Sequence, residues 1–300
     1  MLQTKLIGPY ICRLRKARDM TQVELADHVH VSHQAVSKWE RGDSLPDIAT
    51  LVELSKLFHV SIDKLLSGGR DDIAKQNIGA VVEKIAADEP REAAKVLNEG
   101  KSNVSQLVSL APIMKTSMLE KVTEEVDVNS FTMQHLVELA PFLAQHTIQA
   151  IFEKLENRIV IWQDINSLAP FIDENMLANL IEQTETPPTL DDLISSAPFL
   201  HHQLNDLMKQ IDLTHISWTH IGSLAPFLSQ DVLDFLIDRS SLETVTLEKL
   251  ASIAPFLQQD KLVSLLHHVE DDKLTPAALS SLAPFLPEDI VNQLVEKILD

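Results

Sequence analysis

Two pairs of neighbouring histidines, His201-His202 and His267-His268, are the side chains best suited by type to hold a metal ion. Their spacing argues against it. Adjacent residues on a helix point about 100° apart, so a neighbouring pair is not a chelate by itself. The first pair follows Phe199-Leu200 in a corner, and the second falls late in a helix. All four read as surface histidines. Cys12 is the only cysteine, so no intramolecular disulfide can form, and a reducing compartment fits. It reads as a small, buried or half-buried residue rather than a redox switch. Trp162 and Trp218 occupy a position where other parts of the chain place Val, Met or Leu, which favours core packing over a ligand platform. Asp173-Glu174 and Glu288-Asp289 suit the first turns of helices, where carboxylates meet the positive end of the helix dipole. There is no HExxH, no glycine-rich phosphate loop and no cysteine cluster. The chain is therefore expected not to be an enzyme, and to use no cofactor and no metal.

The elements that position these residues should be helices. Of 300 residues 45% are apolar, enough for a sizeable core, while glycine numbers 7 and aromatics make up 5%. Such a composition favours helix over sheet. No stretch approaches the roughly 18 apolar residues that cross a bilayer, and no apolar run follows the basic residues at the N-terminus. The expectation is a soluble, cytoplasmic chain with no membrane contact.

Net charge is −19, but it is unevenly spread. Residues 1–70 hold ten basic and eight acidic side chains, a balance of +2; the remainder holds 15 and 36, a balance of −21. Only the front could meet a polyanion. Five short helices can be drawn there. The first runs from about Gly8 to Arg18 with Ile11, Leu14 and Arg15. The second begins at Thr21, where Glu24 three residues on completes a capping box. The third begins at Ser32, turns Ala35, Val36 and Trp39 inward, and stops at Gly42. The fourth runs from about Asp47 to Phe58 with Ile48, Leu51, Leu54 and Leu57 at helical spacing. The fifth follows Ser61. The second and third, parted by a few residues around His30 and Val31, make a helix-turn-helix, whose second helix presents its N-terminal residues to base edges in the major groove.

The wording of this segment is dense with a known pattern: Thr21-Gln22, Glu24-Leu25-Ala26, Val31-Ser32, Val36-Ser37, Trp39-Glu40, Gly42, Pro46, Leu51, Leu54 and Val60-Ser61. Over about 62 residues it closely resembles the Cro/lambda-repressor-like, or XRE, family of helix-turn-helix domains. The resemblance implies double-stranded DNA as a partner and assigns roles by position. Gln22 touches phosphate or braces the recognition helix. Ser32, His33, Gln34, Ser37 and Lys38 lie on the exposed side of the third helix. There Gln34 can make a bidentate contact to adenine, and Lys38 can reach guanine or phosphate. Arg41 and the backbone N–H groups at helix starts are phosphate candidates. Lys38 and Arg41 have the alternative of being ordinary solvated charges, and Glu24 and Glu40 read as structural.

Behind the front lies a repeat. The word Ala-Pro-(Phe/Ile)-(Leu/Ile/Met) occurs seven times, with prolines at Pro112, Pro141, Pro170, Pro198, Pro226, Pro255 and Pro284, spaced 28 or 29 apart. Two and five positions before each proline stand aliphatic residues, Leu139 and Leu136 for instance, with Ser196 the one exception. Steps of three mark one face of a short helix. A second amphipathic helix follows, as in Leu262, Leu265 and Leu266. Each unit is thus a helix, a proline-marked corner and another helix. The alanine should leave the helical region before proline and let neighbours approach, and the phenylalanine should anchor a shared core. The fold expected is all-α: a five-helix helix-turn-helix domain followed by an α-solenoid of about seven helical hairpins. The expected division is 1–68 for DNA binding, 69–100 as a helical linker or cap of the array with Gly68-Gly69 as its flexible point, and 101–300 for the repeats.

Two functions follow. One is a sequence-specific transcriptional regulator, a homodimer on an operator, cytoplasmic and nucleoid-associated when bound, whose repeats oligomerise or sense a ligand, peptide or protein. The other is an interaction scaffold in which the acidic repeats are the main binding module.

Overall fold

The computed structural model describes residues 4–70, 78–99, 103–155, 158–211, 213, 216–240, 245–269 and 276–299. Every regular element among them is helical. The chain divides into two compact units, Met1–Ile159 and Val160–Asp300.

The first unit opens with α1 (Thr4–Lys16), α2 (Gln22–His28), α3 (His33–Arg41), α4 (Ile48–Phe58) and α5 (Ile62–Leu66). The starts of four of these helices follow from side-chain chemistry. Thr21, Ser32, Asp47 and Ser61 hold extended backbone and accept from the amides of Glu24, Ala35, Thr50 and Lys64. Each satisfies a helix N–H that has no partner within its own helix. Thr21 and Glu24 form the reciprocal box, with the Thr21 amide donating to Glu24 Oε2 at 2.7 Å. Gly42, at φ +79°, closes α3 in the left-handed region that favours glycine. α1 starts four residues earlier than its Gly8-Pro9 pair suggests. Inside a helix proline gives up its N–H bond and crowds the carbonyl four residues back, yet α1 runs through Pro9 and encloses Ile7 fully.

The unit continues with α6 (Ile78–Ala86), α7 (Pro90–Glu99), α8 (Asn103–Leu110), α9 (Thr116–Glu125), α10 (Met133–Leu139) and α11 (Gln145–Lys154). α6 packs on α4 and α5, and α7 packs on α8 and α9. The Asp63 carboxylate on α5 accepts from the Gly79 amide of α6 at 3.1 Å. Gly68 and Gly69 are both left-handed, and a Cβ on either would overlap Leu6 or Tyr10 of α1. Of the segment between the two glycines and α6, residues 71–77 lie outside those described.

The second unit holds α12 (Trp162–Leu168), α13 (Glu174–Gln183), α14 (Leu190–Leu200), α15 (Gln203–Met208), α16 (Trp218–Leu224), α17 (Gln230–Arg239), α18 (Leu247–Ile253), α19 (Gln259–Leu266), α20 (Pro276–Leu282) and α21 (Glu288–Leu299). The helices that precede each proline stack in sequence, α12 on α14, α14 on α16, α16 on α18 and α18 on α20. Their facing residues are the ones marked by the three-residue steps: Leu168, Ile165, Ile221, Leu224, Leu250 and Ile253 are all fully enclosed. Each such side chain contributes about 1.5–3 kcal/mol by leaving water.

Six of the seven Ala-Pro words form a 3₁₀ turn directly after the α-helix ends. The expected stop therefore occurs, but its mechanism differs. Ala140, Ala169, Ala225 and Ala254 keep helical angles. The proline sits in the first turn of a new, tighter helix, where no N–H is required of it. The fourth word departs further, because α14 runs straight through Pro198. This is also the unit with Ser196 in place of an aliphatic residue. Ser196 is fully buried and its hydroxyl donates to Asn166 of α12, so a hydrogen bond stands where other units have apolar contact.

The phenylalanines are not core anchors. Phe142, Phe171, Phe199 and Phe285 are half-buried, and Phe227 and Phe256 are 39% and 37% exposed. The alanine of each word is buried, except Ala283, which is half-buried, and the closing Leu143, Leu200 and Leu286 are buried as well. Past the proline the chain leaves the helical face, so the period that orders the leucines no longer sets where the ring points.

Candidate nucleic-acid interface

Helix α3 turns Val36 and Trp39 into the core at 0% and 5% exposure and leaves Ser32, His33, Gln34, Lys38 and Arg41 exposed. Ser37 is half-buried between them. Positions 34, 37, 38 and 41 recur at helical spacing, so their side chains share one face. Ala35, expected inside, is half-buried.

What holds this face in place is a buried ion pair. Arg15 on α1 donates from Nε to Glu40 Oε1 at 2.5 Å and from Nη2 to Glu40 Oε2 at 2.9 Å, with side-chain exposures of 10% and 6%. Its remaining donors reach the Met20 carbonyl at 2.6 Å and Cys12 Sγ at 3.7 Å. Gln22 of α2 donates to Glu40 Oε2 at 2.9 Å. One carboxylate near the end of α3 thus ties together α1, α2 and α3. Burial alone would raise the Glu40 carboxyl; hydrogen bonds from Arg15, Gln22 and Cys12, together with the Arg15 charge, outweigh it and hold the group below the usual carboxylate range. Arg15 is pushed up, chiefly by its bond to Glu40. Burial and the neighbouring Glu40 push the Cys12 thiol up, which disfavours the reactive thiolate.

Close backbone approach completes the frame. A Cβ on Gly8 of α1 would fall 1.9 Å from the Trp39 carbonyl oxygen. Only glycine lets α1 lie so near the last turn of α3. At the exposed end, Arg41 donates to Asp43 at 2.8 Å and to the Ser37 hydroxyl at 2.5 Å. The Arg41–Asp43 pair is 58% and 54% exposed, where water competes and an ion pair contributes at most about 1 kcal/mol. The guanidinium is therefore easily re-partnered by phosphate.

Of the seven residues singled out in the sequence, six, from Ser32 to Arg41, lie on or at the start of α3. The seventh, Gln22, bonds inward to Glu40. The sequence marks Gly8 only as the approximate start of the first helix and places Arg15 on that helix without a partner. The available signal for Arg15 was its position four residues after Ile11 and eight after Ile7, a charge on an otherwise apolar stripe. Among the described residues no group of three His, Cys, Asp or Glu side chains is placed to hold a metal ion, and no helix is long and apolar enough to cross a membrane. His201 and His202 are exposed, as expected of them.

The family model HTH_3, described as helix-turn-helix, matches residues 13–65. The HTH-type transcriptional activator BcrR of Enterococcus faecalis is 46% identical over 56 residues, 19% of this chain and 28% of that one. An uncharacterized HTH-type transcriptional regulator, y4dJ, of Sinorhizobium fredii is 36% identical over 63 residues, 21% of this chain and 82% of that one. The chain spans between about a quarter and a half of the length of the first curated relatives it matches. A solved structure, that of a point mutant of PrgX, covers 97% of this chain and 99% of its own at 10% identity, with a TM-score of 0.23, too low to carry fold or function across. The capped α2–α3 pair, the exposed face of α3 and these matches over one stretch agree, and the chain belongs to the HTH_3 family of XRE-type helix-turn-helix proteins.

Proposed function

We propose that this chain is a sequence-specific DNA-binding transcriptional regulator that acts as a dimer, with α3 as the recognition helix. The observation that carries the reading is the row Ser32, His33, Gln34, Ser37, Lys38 and Arg41 on the outer side of α3, held rigid from beneath by the Arg15–Glu40–Gln22 cluster. A rigid frame is what base readout needs, because a bidentate contact tolerates little displacement. In this reading Gln34 and Lys38 read base edges. Arg41 exchanges Asp43 and Ser37 for phosphate, and Gln22 serves as the brace. One such domain covers one half-site, so specific affinity calls for two copies on a near-palindrome with half-site centres about 34–36 Å apart or multiples of that. The domain limits 1–68, 69–100 and 101–300 belong to the same proposal, with the repeats supplying oligomerisation or a platform for a ligand, peptide or protein.

The test is selection of DNA from a random pool by the full-length protein and by its Gln34→Ala variant. A near-palindromic motif whose preference changes in the variant supports the reading; no enrichment by the full-length protein overturns it. The acidity of the repeats favours a second reading, a scaffold whose main binding module is the array. In that case the protein enriches no DNA motif and co-purifies with a stoichiometric partner.

A further inference from the structure

We propose that the proline-phenylalanine corners of the Val160–Asp300 unit form a docking ridge for a basic, apolar polypeptide segment. The proposal deepens the reading of the repeats as a partner platform and is independent of DNA binding by α3.

The ridge follows from the stacking. α12, α14, α16, α18 and α20 are each separated along the chain by one intervening helix, and each packs on the next. Their C-terminal ends therefore emerge along one edge. At that edge stand Phe171, Phe199, Phe227, Phe256 and Phe285, none of them buried and every one preceded by an exposed proline. Packed helices lie roughly 8–10 Å apart, so the corners recur at about that interval. A single exposed phenylalanine calls for no explanation. Five at the same place in successive repeats, in a unit whose aliphatic rows are enclosed, do.

Charge selects the partner. Residues 160–300 carry 22 acidic and six basic side chains, a balance of −16. The acids are not scattered at random around the rings. Glu174, Asp231, Asp260 and Glu288 stand three or four residues after Phe171, Phe227, Phe256 and Phe285, at the start of the following helix, and all four are exposed. Three of the unit's cations are already engaged: Lys261 with Asp238 at 2.5 Å, Lys209 with Asp206 at 3.6 Å, and Arg239 over the Phe235 ring at 4.1 Å. Each corner so marked carries a ring and, three or four residues on, an exposed carboxylate. The complementary partner is a segment that presents an apolar side chain roughly every 10 Å with Lys or Arg between. A helix meets this with residues seven apart, at about 1.5 Å of rise each. Clustered carboxylates repel DNA and RNA, so the basic partner is protein.

The experiment measures binding of a labelled peptide, Lys-Leu-Lys-Lys-Leu-Leu-Lys repeated three times, to the full-length protein by fluorescence anisotropy. The expected result is saturable binding that weakens at least tenfold in Phe227→Ser/Phe256→Ser and in Asp231→Lys/Asp260→Lys, with helicity unchanged in both. The same peptide with every Leu replaced by Gly, and a third with every Lys replaced by Glu, should bind at least tenfold more weakly. Absence of binding, equal binding of the Leu-free peptide, or full binding by either double variant overturns the proposal. So does sedimentation showing that Phe227→Ser/Phe256→Ser turns an oligomer into a monomer without affecting the peptide, because the ridge would then join copies of this chain. DNA selection by the same variants should be unchanged, which separates this result from a failure of the recognition helix.

Discussion

Replacing Arg15 by Met removes the cation from the centre of the helix-turn-helix frame while keeping an apolar stem of similar reach. Glu40, at 6% side-chain exposure, then loses two charge-assisted bonds of 2.5 and 2.9 Å and keeps only uncharged donors, among them Gln22 at 2.9 Å. The Met20 carbonyl loses its 2.6 Å donor as well. Stranding one partner of a buried ion pair costs about 3–5 kcal/mol, a large part of the roughly 5–15 kcal/mol that holds a domain folded. Hydrogen-exchange mass spectrometry on the full-length chain reads this directly. The opening free energy of peptides within Thr4–Phe58 should fall by that amount, while peptides from α16 to α18 serve as the internal reference. The pH dependence gives a second, independent reading. In the wild type the Glu40 carboxyl is held below its unfolded value of about 4.3, so its contribution is present above that pH and is lost as pH falls through the lower folded value. In Arg15→Met burial dominates and raises the group, so the penalty is full at neutral pH and shrinks as pH falls through the raised value toward the unfolded one. The two proteins should converge in acid. Arg15→Met/Glu40→Leu should recover most of the loss, because a buried pair exchanged for apolar residues is often neutral. A cost below about 1 kcal/mol, or a double variant no better than the single one, would refute the claim that this pair frames the recognition helix.

Three further outcomes follow from the same geometry. Gly8→Ala places a methyl 1.9 Å from a backbone oxygen, so it should cost at least the upper end of the roughly 1–3 kcal/mol typical of overpacking; thermal unfolding of the full-length chain measures it, and a shift of less than a degree would mean α1 moves aside freely. Arg41→Ala should weaken binding to all DNA sequences alike and lower the slope of log K against log salt by about one, whereas Gln34→Ala should change the preferred sequence with little change in slope. Reversed results in gel-shift titrations would exchange the two roles. Leu236→Ala, at a fully enclosed position of α17, should cost about 2–5 kcal/mol in exchange experiments on the second unit and leave peptides of α1–α4 unaffected.

The parts of this molecule that can be read from its sequence are those decided by neighbours three or four residues away. Caps at Thr21, Ser32, Asp47 and Ser61 are local contests between a side-chain oxygen and water for an amide, and the residue type settles them. The aliphatic rows of the repeats are equally local, since a period of three or four fixes which side of a helix is apolar and burial follows. The outward face of α3 belongs here too: once Val36 and Trp39 are inside, Gln34, Lys38 and Arg41 have nowhere to point but out. What escaped reading is decided at a distance. Arg15 and Glu40 are 25 residues apart, and a charge on an apolar stripe shows that a partner is needed without showing which one. Gly8 looks like a helix boundary until the Trp39 carbonyl appears across from it. The phenylalanines mislead for another reason. Hydrophobicity alone over-assigns burial, because it has no direction; direction comes from backbone geometry, and at six of the seven Ala-Pro corners the geometry changes from α to 3₁₀ just before the residue that follows proline. Alanine, the least conspicuous letter of the repeated word, packs inside, and the phenylalanine is left half out or exposed. A residue type kept six times at a position where the fold leaves it half out is not explained by the fold. That is the argument for seeking its reason in another molecule.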